Sequence, residues 1–222
     1  SNLNESLPQM PRSGFVQPAT VNNAVKYADY ALGKFIEKAK TQDYWKDTLF
    51  LIVADHDTRA YGEDLVPIKN FHIPGLILGA DITPKRIKTV ASHVDLPTTM
   101  LSLMGISAQH PMIGRDLSQE DPAAPGRAFM QFADNYCLME GNQVAILSPQ
   151  KAPTFGTYDP KTKSLEINTS EIPEHALRAL AYSHLPSWLY RNQLYPSPFT
   201  VPDSVATSPI HLDPATHSAS LK

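Results

Sequence analysis

Residues Thr48 to Asp57 read T-L-F-L-I-V-A-D-H-D, so six consecutive apolar side chains, Leu49 to Ala54, run straight into three groups that can bind a cation or move a proton. A strand wetted on one face alternates apolar and polar residues. This run does not alternate, and it therefore predicts a central strand of a parallel sheet, buried on both faces. Sheets of that kind place their ligands beyond the carboxyl ends of the strands. Asp55, His56 and Asp57 stand at that end and are the first candidates for chemistry.

The flanking sequence supplies the helices such a sheet needs. Thr20 is a candidate N-cap, followed by Val21, Ala24, Val25, Ala28, Leu32, Phe35, Ile36 and Ala39 at spacings of three and four, with Lys34, Glu37, Lys38 and Lys40 mostly opposite. A polar loop over residues 58–70 then leads to a second short buried strand at 75–80 (G-L-I-L-G-A). Ser92 to Pro97 opens another helix, with Asp95 as its N-cap, Leu96, Met100, Leu103 and Met104 as its buried side, and Gly105 as its stop. Short buried strands among amphipathic helices predict an α/β layered fold.

Beyond residue 126 the character changes. Segments 128–136, 143–147, 154–158 and 164–168 are strand-like and are separated by Glu140-Gly141-Asn142 and Asp159-Pro160-Lys161, which predicts a small antiparallel β unit. Residues 171–195 predict a C-terminal helix with Leu177, Leu180, Ala181, His184, Trp188 and Leu189 as its buried stripe, kinked or divided at Pro186. The organisation expected is an extended lead-in (1–19), an α/β part (20–126), the antiparallel unit (127–170), the helix (171–195) and a Pro- and Ser-rich tail (196–222).

Composition narrows the function classes. A net charge of -3 with 18% charged residues gives no electrostatic footprint for nucleic acid. Cys137 is the single cysteine, so there is no intramolecular disulfide, and its run has no basic neighbour to activate a thiolate. No apolar run approaches the roughly 18 residues that span a bilayer. An anchor or export signal, if the parent protein has one, is expected outside this sequence.

Asp55 and His56 are the strongest pair, because a carboxylate oxygen and an imidazole nitrogen both suit a divalent ion of intermediate hardness. The same two residues would also arise if Asp55 closed a turn and His56 bonded locally. His72, just before the second strand, could reach the same sheet edge. Asp57, Arg59, Glu63, Asp64 and Lys69 read as solvated loop charges, His93 and Asp95 as a helix-start pair, and His175 and His184 as surface or packing histidines.

These pieces occur in an order that resembles the carboxyl-terminal half of the sulfatase family within the alkaline phosphatase superfamily. The resemblance rests on Val21 through Asp29, Asp55-His56, His72-Ile73-Pro74, Val94-Asp95-Leu96-Pro97-Thr98 with Gly105, Met112-Ile113-Gly114-Arg115-Asp116-Leu117, and the run from Ala179-Leu180-Ala181-Tyr182 to Asn192-Gln193-Leu194-Tyr195. Within the family it looks most like the bacterial membrane-anchored branch of lipoteichoic acid synthases and phosphoglycerol transferases.

The resemblance implies a partial alkaline-phosphatase-like α/β/α layered sheet and a metal-dependent transfer at phosphorus or sulfur on phosphate or sulfate esters. It implies Asp55 and His56 as metal ligands and His72 as a substrate-binding residue, and, for a membrane-anchored parent, an extracytoplasmic location. His56 favours manganese or zinc, with calcium or magnesium as the harder alternatives. Asp57 departs from the Gly that usually follows the Asp-His pair. No Cys-x-Pro-x-Arg or Ser-x-Pro-x-Arg element occurs. The nucleophile is therefore expected outside this chain, and the chain is expected to be a carboxyl-terminal fragment, inactive alone, that can form a homodimer through an exposed sheet edge. Two alternatives stay open: a noncatalytic binding or scaffold domain that keeps the half-fold, and a small phosphohydrolase working with Asp55, His56 and His72.

Overall fold

The computed structural model describes residues 20–57, 64–108, 110–121, 123–168 and 170–195. The readings of the lead-in, the tail, Arg59 and Glu63 lie outside the described residues. The chain divides into two compact units, 1–50 with 77–82, and 51–76 with 83–222.

In the first unit, helix α1 (Val21–Ala39) starts where the sequence predicts, with the Asn23 N–H donating to Thr20 Oγ1 at 3.2 Å. Past the helix, a 3-10 turn over Asp43–Asp47 carries Trp45, which stacks on Phe50 with ring centroids 5.3 Å apart. Phe35 meets the same Phe50 ring edge-on at 5.9 Å. This aromatic cluster joins the end of α1 to the start of the apolar run. The predicted apolar face of the helix exists, but Val21, Val25 and Phe35 on it are exposed and Ala39 is its buried residue.

Strand β1 (Phe50–Val53) pairs with β2 (Gly75–Leu78) in a two-stranded sheet. The two run antiparallel. Gly75, opening β2, lies against Val53 at the end of β1, whereas Gly79, just past β2, lies against Leu49, just before β1. A Cβ at Gly79 would come within 2.5 Å of Leu49 Cδ2, so the Leu49 side chain packs over the glycine. The parallel partner predicted for β1 is therefore corrected to an antiparallel one among the described residues. The burial expected for both strands is corrected as well: β1 is half-buried and ends on an exposed Val53, and β2 opens with Gly75 and an exposed Leu76, because a two-stranded sheet leaves edges and faces that an apolar run alone does not cover.

The second unit is built on a five-stranded antiparallel meander of β3 (Arg127–Phe132), β4 (Asn135–Glu140), β5 (Gln143–Leu147), β6 (Thr154–Asp159) and β7 (Ser164–Asn168), in sequential order. The single piece expected at 128–136 is two strands. They turn at Ala133, whose φ of 50° is left-handed without the glycine that would have signalled a turn. Alternation then sorts the two faces. Leu138, Ala145 and Phe155 meet Ala179 of helix α3 (Pro173–Arg191), while Met130, Cys137, Met139, Val144, Ile146 and Tyr158 pack on Val66 and Ile68. Burial drives the Cys137 thiol up to about 12, which keeps it protonated and removes it as a nucleophile.

Helix α3 passes through Pro186 undivided. Its buried residues are His175, Ala179 and Leu189, and two members of the expected stripe, Leu177 and Trp188, are exposed. His175 is 2% exposed, with Nε2 3.6 Å from a Glu140 oxygen that is itself held by Arg178 at 2.6 Å. Burial lowers the His175 pKa, and Arg178 adds to that, while Glu140 and the Leu138 backbone oppose it. The folded protein thus binds the His175 proton less well than the unfolded chain, so stability falls as pH drops through the unfolded value of about 6.5. Thermal unfolding between pH 7 and about pH 5.5 should accordingly show a steeper loss of Tm in the wild type than in His175→Leu.

Candidate functional site

Ala54 is the first residue past the β1 ladder, and the chain turns there through Asp55 and His56. Their side chains are 87% and 72% exposed. The His56 N–H donates to Asp55 Oδ1 at 2.9 Å, and His56 Nδ1 lies 2.9 Å from the Asp57 carbonyl. A carbonyl oxygen only accepts, so Nδ1 carries the proton and the neutral ring presents its lone pair at Nε2. That nitrogen is 3.5 Å from Asp55 Oδ2. The bond to Asp57, and after it the Asp55 charge, raise the His56 pKa above its ordinary value. The Asp57 contact uses only the backbone, which a glycine would supply equally.

Two such donors fit one divalent ion. Tetrahedral N and O ligands at about 2.1 Å from a metal sit roughly 3.4 Å apart, close to the observed Nε2–Oδ2 separation. The pair supplies two positions of a coordination sphere. Among the described residues no three His, Cys, Asp or Glu side chains group as a metal set. His72 follows the 3-10 turn Ile68–Phe71 and is exposed, so the structure unites Asp55 with His56 and does not add His72 to them.

Behind this turn lies a buried polar lock. Asp95 is fully buried, and it opens helix α2 (Asp95–Leu103) as the first helical residue; Val94 is the N-cap, so the cap predicted at Asp95 is displaced by one. Its carboxylate has other work. Oδ2 accepts the Ser92 N–H at 2.9 Å and Arg115 Nη2 at 2.9 Å, and Oδ1 accepts the Arg115 N–H at 2.8 Å. Gly114 makes this possible, because a Cβ there would stand 1.8 Å from the Val94 carbonyl oxygen. Thr99, also buried, donates to the Asp95 carbonyl at 2.7 Å and accepts the Leu117 N–H at 3.0 Å. The buried side of α2 is thus Asp95 and Thr99, with Met104 exposed against expectation. A helix facing a backbone turn meets amides and carbonyls, which polar side chains satisfy and methionine does not.

Arg115 also bonds Glu120 and the Val90 carbonyl, and Arg127 bonds Tyr182 and the Ile113 carbonyl while stacking over the Phe129 and Tyr182 rings. The two arginines therefore tie α2, β3 and α3 together. One consequence reaches the turn itself: His93 Nε2 lies 2.8 Å from the Ala54 carbonyl, immediately before Asp55. Sequence reasoning grouped His93 with a helix start and missed this contact, since nothing in residues 92–95 signals a partner 39 positions away.

Residues 6–106 match the Sulfatase family model. The fold is similar to that of a protein in the alkaline phosphatase superfamily from Vibrio parahaemolyticus, solved to 1.95 Å, with a TM-score of 0.75 and 41% identity over 85% of this chain and 47% of that one. The chain spans about half the length of that protein. The mixed α/β architecture of the present chain, with antiparallel sheets and a C-terminal helix, is thus similar to the fold of an alkaline phosphatase superfamily protein, and its first part is similar to the sulfatase family. Enzymes of these groups generally use divalent metals, which is the chemistry the exposed Asp55–His56 pair suits.

The lock itself is open to test. Asp95→Ala removes the buried acceptor shared by the Ser92 and Arg115 amides and the Arg115 guanidinium, which keeps only Glu120 as a counter-charge, and should destabilise the protein by roughly 3 kcal/mol in urea unfolding. Gly114→Ala should lose a comparable amount by displacing the same turn.

Proposed function

We propose that this chain is the carboxyl-terminal part of a sulfatase-like hydrolase or phosphoglycerol transferase acting on phosphate or sulfate esters, and that Asp55 and His56 provide two ligands to its divalent metal. The observation that carries this reading is His56 Nε2 standing 3.5 Å from Asp55 Oδ2, at a strand end of a fold similar to that of an alkaline phosphatase superfamily protein. Manganese or zinc suits the mixed N and O donor set better than calcium or magnesium. Bound there, such an ion would lower the pKa of a nucleophile and offset charge growing on the ester's nonbridging oxygens.

The roles of this chain's own residues follow from their positions. Asp55 contributes an anionic oxygen, and His56 contributes a neutral nitrogen whose tautomer is set by the Asp57 carbonyl. His72 is proposed to contact the ester from an adjacent loop, as its exposure permits. The nucleophile and the remaining ligands are proposed to come from residues outside this chain, consistent with the 47% coverage of the Vibrio protein and the absence of a Cys- or Ser-x-Pro-x-Arg element. A noncatalytic scaffold role is the second reading. It is favoured by the lack of a three-residue metal set among the described residues.

Calorimetric titration of Mn2+ and Zn2+ into wild type and His56→Ala tests the proposal, with hydrolysis of bis-p-nitrophenyl phosphate and p-nitrophenyl sulfate followed in the same samples. The expected outcome is weak binding that falls at least about tenfold in the variant, with no turnover by either protein. Equal affinity in the two proteins would remove Asp55–His56 as the metal pair. Turnover lost with His56 would replace the partial-site reading with that of a complete small hydrolase.

A further inference from the structure

We propose that His93 is a positioning residue for the Asp55–His56 pair, which it orients by holding the Ala54 carbonyl; the consequence for metal rests on the functional reading above. His93 Nε2 is 2.8 Å from that oxygen. Because a carbonyl only accepts, Nε2 is the donor, and the neutral ring keeps its lone pair at Nδ1, turned away from this bond. The Ala54 carbonyl belongs to the peptide plane that joins Ala54 to Asp55. Fixing that plane fixes the Asp55 N–Cα bond, the axis from which the Asp55 side chain departs.

What makes His93 suited to this task is the rigidity of its own segment. The Val90 carbonyl accepts the Arg127 N–H at 3.0 Å and Arg115 Nη2 at 2.9 Å. Ser92 donates its N–H to the buried Asp95 carboxylate at 2.9 Å, and its Oγ accepts the Phe129 N–H at 3.2 Å. Residues 90–95 are thus anchored to β3 and to the Gly114–Arg115 turn, and the imidazole projects from that anchored segment to the strand end. Asp55 and His56, by contrast, are largely exposed and bonded to one another and to Asp57. A turn of that kind needs a fixed reference if its two donors are to stay 3.5 Å apart. His93 supplies one from the folded body of the second unit.

The test compares wild type, His93→Ala and His93→Gln, whose side-chain amide can donate to the same carbonyl but is a poor metal ligand. Three quantities are read: the 13C carbonyl shift of Ala54 with the Asp55 and His56 side-chain signals in metal-free protein, the affinity for Mn2+ alone, and Tm. We expect His93→Ala to move the Ala54, Asp55 and His56 signals and weaken Mn2+ binding about tenfold, with Tm unchanged, and His93→Gln to restore both. Unmoved signals in His93→Ala would overturn the proposal, as would a failure of Gln to restore them or a loss of Mn2+ affinity that only tracks a loss of Tm. If wild type binds no Mn2+, or binds it equally in His56→Ala, the metal reading fails, and the metal-free signals with their rescue by Gln still decide whether His93 positions the turn.

Discussion

A carboxylate with no access to water must be matched by donors and charge, and Asp95 is the group around which the second unit arranges itself. Its two oxygens take the Ser92 amide, the Arg115 amide and the Arg115 guanidinium, so one side chain defines the turn before α2, the start of α2 and the turn at 114–115. Arg115 Nη1 bonds Glu120 and the same Nη2 that meets Asp95 also reaches the Val90 and Arg127 carbonyls, and Arg127 continues the connection to Tyr182 of α3. Buried pairs of this sort add little net stability over a well-packed apolar core, and their removal by halves is costly. Their value here is geometric: they specify which turn meets which strand.

The candidate site has the opposite character. Asp55 and His56 are exposed groups on a short turn, where the contact with the Asp57 carbonyl orients the His56 ring and leaves Nε2 3.5 Å from the Asp55 carboxylate. A pair of donors binds a divalent ion weakly, since the remaining positions fall to water. The chain spans about half the length of its structural relative. The polar lock and the exposed pair are linked through His93, which lies two residues from Asp95 and one hydrogen bond from the residue preceding Asp55.

Much of this was legible in the sequence where short-range physics decides. The cap at Thr20, the strand leading to Asp55-His56 and the turns at Gly141 and Asp159-Pro160 all depend on neighbours within a few residues, whereas Cys137, expected to be unreactive for want of a basic neighbour, is made so by its burial against distant residues. The turn at Ala133 did not show, because its left-handed residue is not a glycine. The stripe of α3 was misread because helical spacing alone admits several faces, and the face that wins carries His175, whose burial beside Glu140 could not be known before β4 was placed. Met104 was assigned to the core by its chemistry, but the surface facing α2 is backbone.

The sequence by itself determined most of the elements and the donor types, above all an apolar run delivering a carboxylate and an imidazole to a strand end. Only the tertiary structure decided that β1 runs antiparallel to β2, that Asp95 serves Arg115 instead of capping its helix, and that His93 reaches back to Ala54. The physical reason is range. Capping, turning and alternation are fixed by residues within one helical turn, whereas the partners of a buried charge or a strand edge are chosen by whichever distant groups can satisfy them, and those separations leave no trace in local spacing.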